Sequence, residues 1–219
     1  MKKLATLLLV LNFIAISGFQ LLPRTRVLGE ITEQTTVTYN LLIGWNLVHF
    51  PLTPQEFTTA AGLVETVAKK GGYVTTIATW ENGKWTEYVQ RGATAYSPDF
   101  PITAGKAYFL RSHRELEWQV TGTPVAVTKL ALKPGWNTIG LTLGDNHSAV
   151  NILDAANNKN TQERTTEIDR WLSGTWQVFV KRIFATDNIQ EYGDNFPLSP
   201  SEGYMIKAND YINLELEQD

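Results

Sequence analysis

Hydrophobic and polar residues alternate over two stretches of the chain, and a β-strand is expected at each. One stretch follows Gly44-Trp45-Asn46 and the other follows Gly135-Trp136-Asn137. The first places three apolar side chains on one face: Val48, Phe50 and Leu52. The second repeats that spacing with Ile139, Leu141 and Leu143. Each strand is therefore predicted to cover one side of a hydrophobic core.

A short helix is predicted after each of these strands, because apolar residues then recur at three- and four-residue spacing. In the first copy Thr58 or Thr59 can cap the helix, and the pattern ends at Gly71-Gly72. Its apolar stripe consists of Ala60, Leu63, Val64 and Val67. In the second copy Ser148 is the predicted cap, and the stripe consists of Ile152, Leu153 and Ala156.

A tryptophan hairpin is predicted next in both copies. The segment 80–85 reads Trp-Glu-Asn-Gly-Lys-Trp, and an Asn-Gly pair favours the two-residue type I′ turn. That turn places Trp80 opposite Trp85 in the closer, non-hydrogen-bonded position. The segment 171–176, Trp-Leu-Ser-Gly-Thr-Trp, repeats the arrangement.

These matches show that the body of the chain is a tandem repeat. The Gly-Trp-Asn tripeptide and the hairpin recur at an offset of 91 residues, and the segment 107–110 recurs as 203–206 at an offset of 96. The second copy has therefore gained five residues between Trp176 and Phe196. Two closing strands are predicted in each copy, around 108–111 and 117–121 in the first and around 204–207 and 212–216 in the second.

We therefore predict a mainly β fold of the β-rich α+β type, in which each repeat is an antiparallel sheet with one short helix. Repeat 1 is placed at residues 37–125 and repeat 2 at 126–219, after a polar lead-in at 30–36. Units of about 90 residues without disulfides bury a modest fraction of their surface. The two repeats are accordingly expected to pack on each other, and a pseudo-twofold axis is one way to relate them.

The repeated motifs also resemble those of a known group of proteins. Gly-Trp-Asn before an apolar strand, a Trp-rich hairpin, and a later Gly-Tyr before another apolar strand look like the tandem Gly-Trp-Asn modules of exported and cell-surface proteins in bacteria and archaea. The resemblance covers most of residues 41–216. It implies an extracellular β-rich module and carries over no catalytic residue. The chain departs from the pattern at Ala107, where glycine is usual, and at 141–143, which lacks the proline found at Pro51.

The N-terminal segment 1–29 has the pattern of a secretory signal peptide. Lys2 and Lys3 precede an apolar run from Leu4 to Leu22, and Val27 and Gly29 suit a cut that releases Glu30. An earlier cut after Gly18 also fits. The alternative is an uncleaved membrane anchor, since a span needs about 20 apolar residues. Either reading predicts a protein that is secreted or held at the cell surface.

Charge and composition narrow the function classes further. The full chain has a net charge of −3, but residues 1–29 hold four of its 19 basic residues and none of its 22 acidic ones, so the body carries −7. This anionic body has no electrostatic footprint for nucleic acid. We also expect the protein to contact a membrane only through an uncleaved N-terminal segment. The absence of cysteine excludes disulfides and thiolate metal sites.

Aromatic side chains of the two hairpins are the first candidates for ligand binding, because sugar rings stack on exposed indoles. The candidate residues are Trp80, Trp85, Tyr88, Trp171 and Trp176. The alternative is that the tryptophans fill the core, and their predicted neighbours favour it. On the same hairpin faces the pattern places Val74, Ala78, Val89, Val178 and Val180.

Metal sites have weaker support. Asp187, Asp194 and Asn195 offer hard oxygen ligands near the five-residue insertion, and they would suit calcium. Turn formation selects the same residue types and is the favoured explanation. The three histidines share no feature between the copies and form no converging ligand set. No cofactor is expected apart from this candidate calcium.

The leading functional prediction is an exported, non-catalytic β-repeat module that acts in cell-surface assembly or adhesion. It rests on the leader and on a duplication that repeats structural residues while its other residues diverge. The alternative is a carbohydrate-binding module that uses the hairpin tryptophans. A second alternative is an unrecognised extracellular hydrolase, although no nucleophile elbow, zinc motif or phosphate loop is present in the sequence. The expected partner is a protein or a polysaccharide at the cell surface.

Overall fold

A computed structural model describes residues 33–125, 129–141, 147–158, 162–185 and 188–215. In the first repeat the elements are β1 (Thr35–Leu41), β2 (Gly44–His49), β3 (Leu52–Pro54), α1 (Ala60–Lys69), β4 (Val74–Glu81), β5 (Lys84–Arg91), β6 (Thr94–Ala95), β7 (Ala107–Ser112) and β8 (Leu116–Pro124). In the second they are β9 (Lys129–Leu132), β10 (Gly135–Gly140), α2 (Ala149–Ala156), β11 (Thr165–Leu172), β12 (Thr175–Ala185), β13 (Asn188–Gly193), β14 (Gly203–Ala208) and β15 (Ile212–Glu215). The predicted leader, 1–29, lies outside the described residues.

Two five-stranded antiparallel sheets form the centre of the molecule. Their strand orders are β2-β7-β4-β5-β6 and β10-β14-β11-β12-β13, so equivalent strands occupy equivalent places. Each repeat adds a smaller antiparallel sheet, β1-β8-β3 in the first and β9-β15 in the second. The predicted fold class, a β-rich architecture of two packed repeats, is confirmed.

Each repeat has its own hydrophobic core between its helix and its sheets. In repeat 1 the core includes the fully buried Phe50, Leu63 and Trp118. In repeat 2 the corresponding cluster includes Ile152 and Tyr204. Burying one such apolar side chain stabilises the fold by about 1.5–3 kcal/mol. The helices are thus held mainly by packing, since both are too short to be stable alone.

The local sequence signals appear in the structure as predicted for the turns and helix starts. Asn82 and Gly83 both have positive φ, 55° and 73°, as a type I′ turn requires. Ser173 and Gly174 repeat this with 51° and 83°. The N-cap of α1 is Thr59, whose hydroxyl accepts from Gly62 N at 3.2 Å.

The strand after Asn46 differs from the prediction. It was expected to continue through Leu52, but β2 ends at His49 and β3 belongs to the smaller sheet. Phe50 instead bonds through its backbone N to the carbonyl O of Lys106. The first strand also begins at Thr35, inside the segment predicted as lead-in, because Thr35 pairs with Gly122 on β8.

The two large sheets pack on each other through the faces turned away from the helices. Leu47, Ala78, Ala107 and Phe109 of repeat 1 form one buried cluster with Met205 of repeat 2. Each large sheet is therefore covered on both faces, by its own helix and by the other repeat. Within the described part of the chain, neither helix has the length and apolar character to cross a membrane.

Candidate functional site

The Gly-Trp-Asn tripeptide organises the start of each central sheet. Gly44 and Gly135 have φ of +102° and +97°, which glycine adopts most readily. Asn46 Nδ2 then donates to Leu42 O at 2.8 Å, and its Oδ1 accepts from Leu42 N at 2.8 Å. Asn137 makes the same pair of bonds with Lys133, at 2.8 and 2.9 Å. The asparagine thus closes the turn that leads into β2 or β10.

Hydrogen bonds from the hairpin tryptophans join the two repeats reciprocally. Trp80 Nε1 donates to the backbone O of Trp136 at 2.9 Å. Trp171 Nε1 donates to the backbone O of Trp45 at 2.7 Å. Trp80 is equivalent to Trp171, and Trp136 is equivalent to Trp45. Each repeat therefore donates the same hydrogen bond to the other, as a pseudo-twofold axis between them requires. The tryptophans that recur at the 91-residue offset therefore fix the interface between the copies.

The hairpin tryptophans are divided between interface and solvent. Trp80 and Trp171 are half-buried, whereas Trp85 and Trp176 are 52% and 40% exposed. The paired rings meet edge to face, with centroids 5.2 Å apart in repeat 1 and 5.0 Å apart in repeat 2. The preference for burial in the core is therefore wrong for Trp85 and Trp176. Their rings line a groove between the repeats.

One end of this groove is a cavity of about 370 Å³, which we call the first pocket. Its lining consists of Trp45, Ala78, Trp85, Glu87, Phe109, Trp171 and Trp176. Phe109 forms its floor, because it is 8% exposed and meets Trp85 and Trp176 edge to face at 5.4 and 6.1 Å. Glu87 supplies the one carboxylate of this lining.

The other end is a cavity of about 280 Å³, the second pocket, lined by Trp80, Trp85, Trp136, Asp169, Trp176 and Met205. The two pockets are equivalent under the duplication. Ala78 of the first corresponds to Asp169 of the second, and Phe109 corresponds to Met205. The strand registers agree, since Ala78 pairs with Phe109 and Asp169 pairs with Met205. The pockets thus have equivalent sets of indoles, of which Trp85 and Trp176 line both, and they differ in their polar groups.

Asp169 is the most unusual group in the groove. It is 7% exposed, and its Oδ1 has no hydrogen-bond partner within the described residues. Burial raises the pKa of this carboxyl to about 7, and nearby Glu167 adds to the rise while Lys207 opposes it. A buried carboxylate without a partner is costly to the folded state.

Tyr88, predicted to stand beside the tryptophans, does not belong to the groove. It lies on the opposite face of β5, 4% exposed, in the core beneath α1. Val74 also lies in that core, because a β-bulge between Val74 and Thr76 reverses the alternation of β4. Tyr88 lies three positions after Trp85 on β5, so strand alternation turns it to the opposite face, and the bulge turns Val74 to that same face.

The two candidate calcium residues that the structure describes, Asp194 and Asn195, do not converge on a shared site. Asn195 Oδ1 accepts from Val150 N at 3.0 Å at the start of α2, as Asp99 Oδ1 accepts from Ala61 N at 2.9 Å at the start of α1. Asn195 is therefore engaged as a second helix cap. Asp194 is exposed, and Asp187 lies outside the described residues. Among the residues that the structure describes, no group of three His, Asp or Glu side chains could hold a metal.

The histidines are structural in their contacts. His49 is fully buried, and its Nδ1 lies 2.7 Å from the carbonyl O of Pro200 in the other repeat. Burial lowers the pKa of His49 to about 4, against the opposing effect of that carbonyl. His113 Nε2 lies 2.8 Å from Thr75 Oγ1, within repeat 1.

Sequence reasoning did not name seven of the residues that line the two pockets as ligand-binding candidates: Trp45, Ala78, Glu87, Phe109, Trp136, Asp169 and Met205. The signal was present in the aligned copies, where an acid replaces Ala78 and a thioether replaces Phe109. It could not be interpreted without knowing that these faces meet. No protein-family model, curated protein or solved structure matches the chain.

Proposed function

We propose that the protein is an exported, non-catalytic binding module whose first pocket binds a polysaccharide at the cell surface. The observation that carries this proposal is the exposure of Trp85 and Trp176 on either side of a phenylalanine floor. An exposed indole offers a flat apolar surface to the ring face of a sugar. The two indoles flank one cavity, so a single sugar residue between them would contact both.

Polar recognition would come from Glu87. Its carboxylate accepts hydrogen bonds, and sugar hydroxyls are donors of matching chemistry. Glu87 pairs with Ala78 across the hairpin, so the small methyl group leaves room above the sheet. The pocket thereby combines a few polar atoms with a mostly aromatic lining, which is typical of small-molecule sites.

The pocket chemistry favours binding over hydrolysis. Glycoside hydrolysis uses two carboxylates on opposite sides of the bond that breaks. Each pocket contributes one carboxylate, Glu87 in the first and Asp169 in the second.

The proposal of an exported location rests on the leader sequence, and the Gly-Trp-Asn resemblance supports it.

The proposed function is tested by measuring the binding of a panel of soluble polysaccharides, with tryptophan fluorescence and affinity electrophoresis. The full chain should bind at least one with saturation, and Trp85→Ala or Trp176→Ala should weaken that binding at least tenfold. Tyr211→Ala is the matched control, because Tyr211 is an exposed aromatic residue outside the groove. Thermal melting of each variant establishes that it is folded. Equal binding by both tryptophan variants would refute the proposal.

A second candidate function is assembly with a protein, and the lengthened edge hairpin of repeat 2 favours it. Strand β12 has 11 residues and β13 has six, against eight and two in their equivalents β5 and β6. Phe184 and Tyr192 on this hairpin are 60% and 54% exposed. An exposed edge strand can pair with another chain. Light scattering of the wild type against a Phe184→Ser, Tyr192→Ser variant tests it, and a monomer in both cases removes self-assembly.

A further inference from the structure

The carboxylate of Asp169 is not needed to build the fold. Its equivalent in repeat 1 is Ala78, on the same strand of a sheet with the same order. Ala78 is also buried, at 6% exposure. The duplicated scaffold therefore accepts a methyl group at this place, and in repeat 2 the attraction of the acid to Lys207 does not outweigh the cost of burying it.

The surroundings of Asp169 are almost entirely aromatic. Four indoles line the second pocket with it, from Trp80, Trp85, Trp136 and Trp176. Indole faces attract cations more strongly than other aromatic side chains do. Trp136 already makes a cation–π contact, because Lys207 Nζ lies 5.7 Å from the centroid of its ring.

We propose that the second pocket binds a methylated ammonium group, with its positive charge towards Asp169 and its methyl groups against the indoles. A cation beside a buried carboxylate offsets part of the cost of burying that charge, because opposite charges attract more strongly away from water. The ligand would bring a positive charge close to a carboxylate whose Oδ1 has no hydrogen-bond partner within the described residues.

The lining also selects among cations. A primary ammonium has three N–H donors to satisfy, whereas Asp169 is the one strong side-chain acceptor among the lining residues. A quaternary ammonium has no N–H donor and needs only charge and apolar contact. The volume, about 280 Å³, lies just below the roughly 300 Å³ at which ligand pockets usually begin, so it suits a head group.

This inference goes beyond the proposed function and is tested separately from it. Trp80, Trp136, Asp169 and Met205 belong to the second pocket and not to the first. A protein that binds choline but no polysaccharide would support this inference and refute the proposed function. The opposite result would refute this inference alone.

The test is a fluorescence and calorimetric titration of the full chain with choline chloride at constant ionic strength. The neutral isostere 3,3-dimethyl-1-butanol separates charge from shape. Choline should bind with saturation, and the neutral isostere should bind at least tenfold more weakly. Asp169→Asn should weaken choline binding at least tenfold while keeping the shape of the site.

Glu87→Gln is the matched control, since it removes the carboxylate of the first pocket. It should leave choline affinity within twofold of the wild type. The inference is overturned if choline does not bind, if the isostere binds equally, or if Asp169→Asn keeps full affinity. It is also overturned if both carboxylate variants weaken binding to the same extent. Thermal melting of Asp169→Asn confirms that the variant is folded.

Discussion

The imidazole of His49 occupies the space that a side chain on Gly140 would need. A Cβ built on Gly140 would lie 1.9 Å from His49 Cδ2 and 2.0 Å from its Cγ. The two residues are equivalent positions of the repeats, 91 residues apart. One copy thus provides a ring, and the other provides the room for it. This complementarity joins the copies in one arrangement and distinguishes the chain from a symmetric dimer of identical units.

Substitution of Gly140 by alanine should destabilise the protein strongly. His49 cannot move aside easily, because it is buried and bonded to Pro200 O. Overpacking of this kind costs about 1–3 kcal/mol, and we expect about 3 kcal/mol in the free energy of unfolding, measured by urea denaturation. The double variant His49→Ala, Gly140→Ala should recover at least half of the unfolding free energy that Gly140→Ala alone removes. Additive effects of the two changes would contradict the contact.

A second matched pair lies at the centre of the interface. A Cβ on Gly203 would lie 2.7 Å from the Cβ of its equivalent Ala107 and 2.9 Å from Leu47 Cγ. Gly203→Ala should therefore cost about 1–2 kcal/mol in unfolding free energy. Adding Ala107→Gly moves the methyl group to the other repeat and should restore most of the stability. Failure of this exchange would show that the two positions do not share one space.

His49 should make the protein less stable in weak acid. Its pKa is about 4 in the folded state against about 6.5 when unfolded, so the unfolded chain binds the proton more readily. The unfolding free energy of the wild type relative to His49→Gln should therefore fall as pH decreases from about 6.5 to 4. Above pH 7 the difference should be constant. A flat difference through the acid range would contradict a buried neutral imidazole.

Asp169 should have the opposite effect over a similar range. Its folded pKa, about 7, exceeds the ordinary value of 3.8, so the folded state holds the proton more tightly between these values. Glu167 strengthens and Lys207 weakens this shift. The wild type should lose stability relative to Asp169→Asn as pH rises from about 4 to 7, by on the order of 3 kcal/mol. Parallel stability curves for the two proteins would contradict the burial of a carboxyl without a partner.

Much of the fold could be predicted from local signals and from the duplication. The Asn-Gly turn predicts the register of Trp80 against Trp85, and the threonine before the apolar stripe locates the start of α1 within a residue. The strand after Asn46 is predicted to continue through Leu52, but it ends at His49, because the two halves of this segment join different sheets. Alternation cannot detect such a change when both halves are buried.

The candidate site was only half predictable for a physical reason. The hairpin tryptophans could be named from the sequence, but their exposure depends on how two sheets meet. Tyr88 lies on the core face because it is three positions from Trp85, and Val74 lies there because a bulge interrupts β4. The difference between Ala78 and Asp169 was visible in the aligned copies. That difference indicates a functional site only once the structure places the two residues in equivalent pockets.

The central claim, that the first pocket binds a polysaccharide, is tested most directly by tryptophan fluorescence of the full chain titrated with the polysaccharide panel. Binding should saturate and shift the emission to shorter wavelength, because Trp85 and Trp176 lose their contact with water. The Trp85→Ala, Trp176→Ala double variant should lose both the shift and the binding while remaining folded. An unchanged emission with every polysaccharide, or full binding by the double variant, would contradict the account.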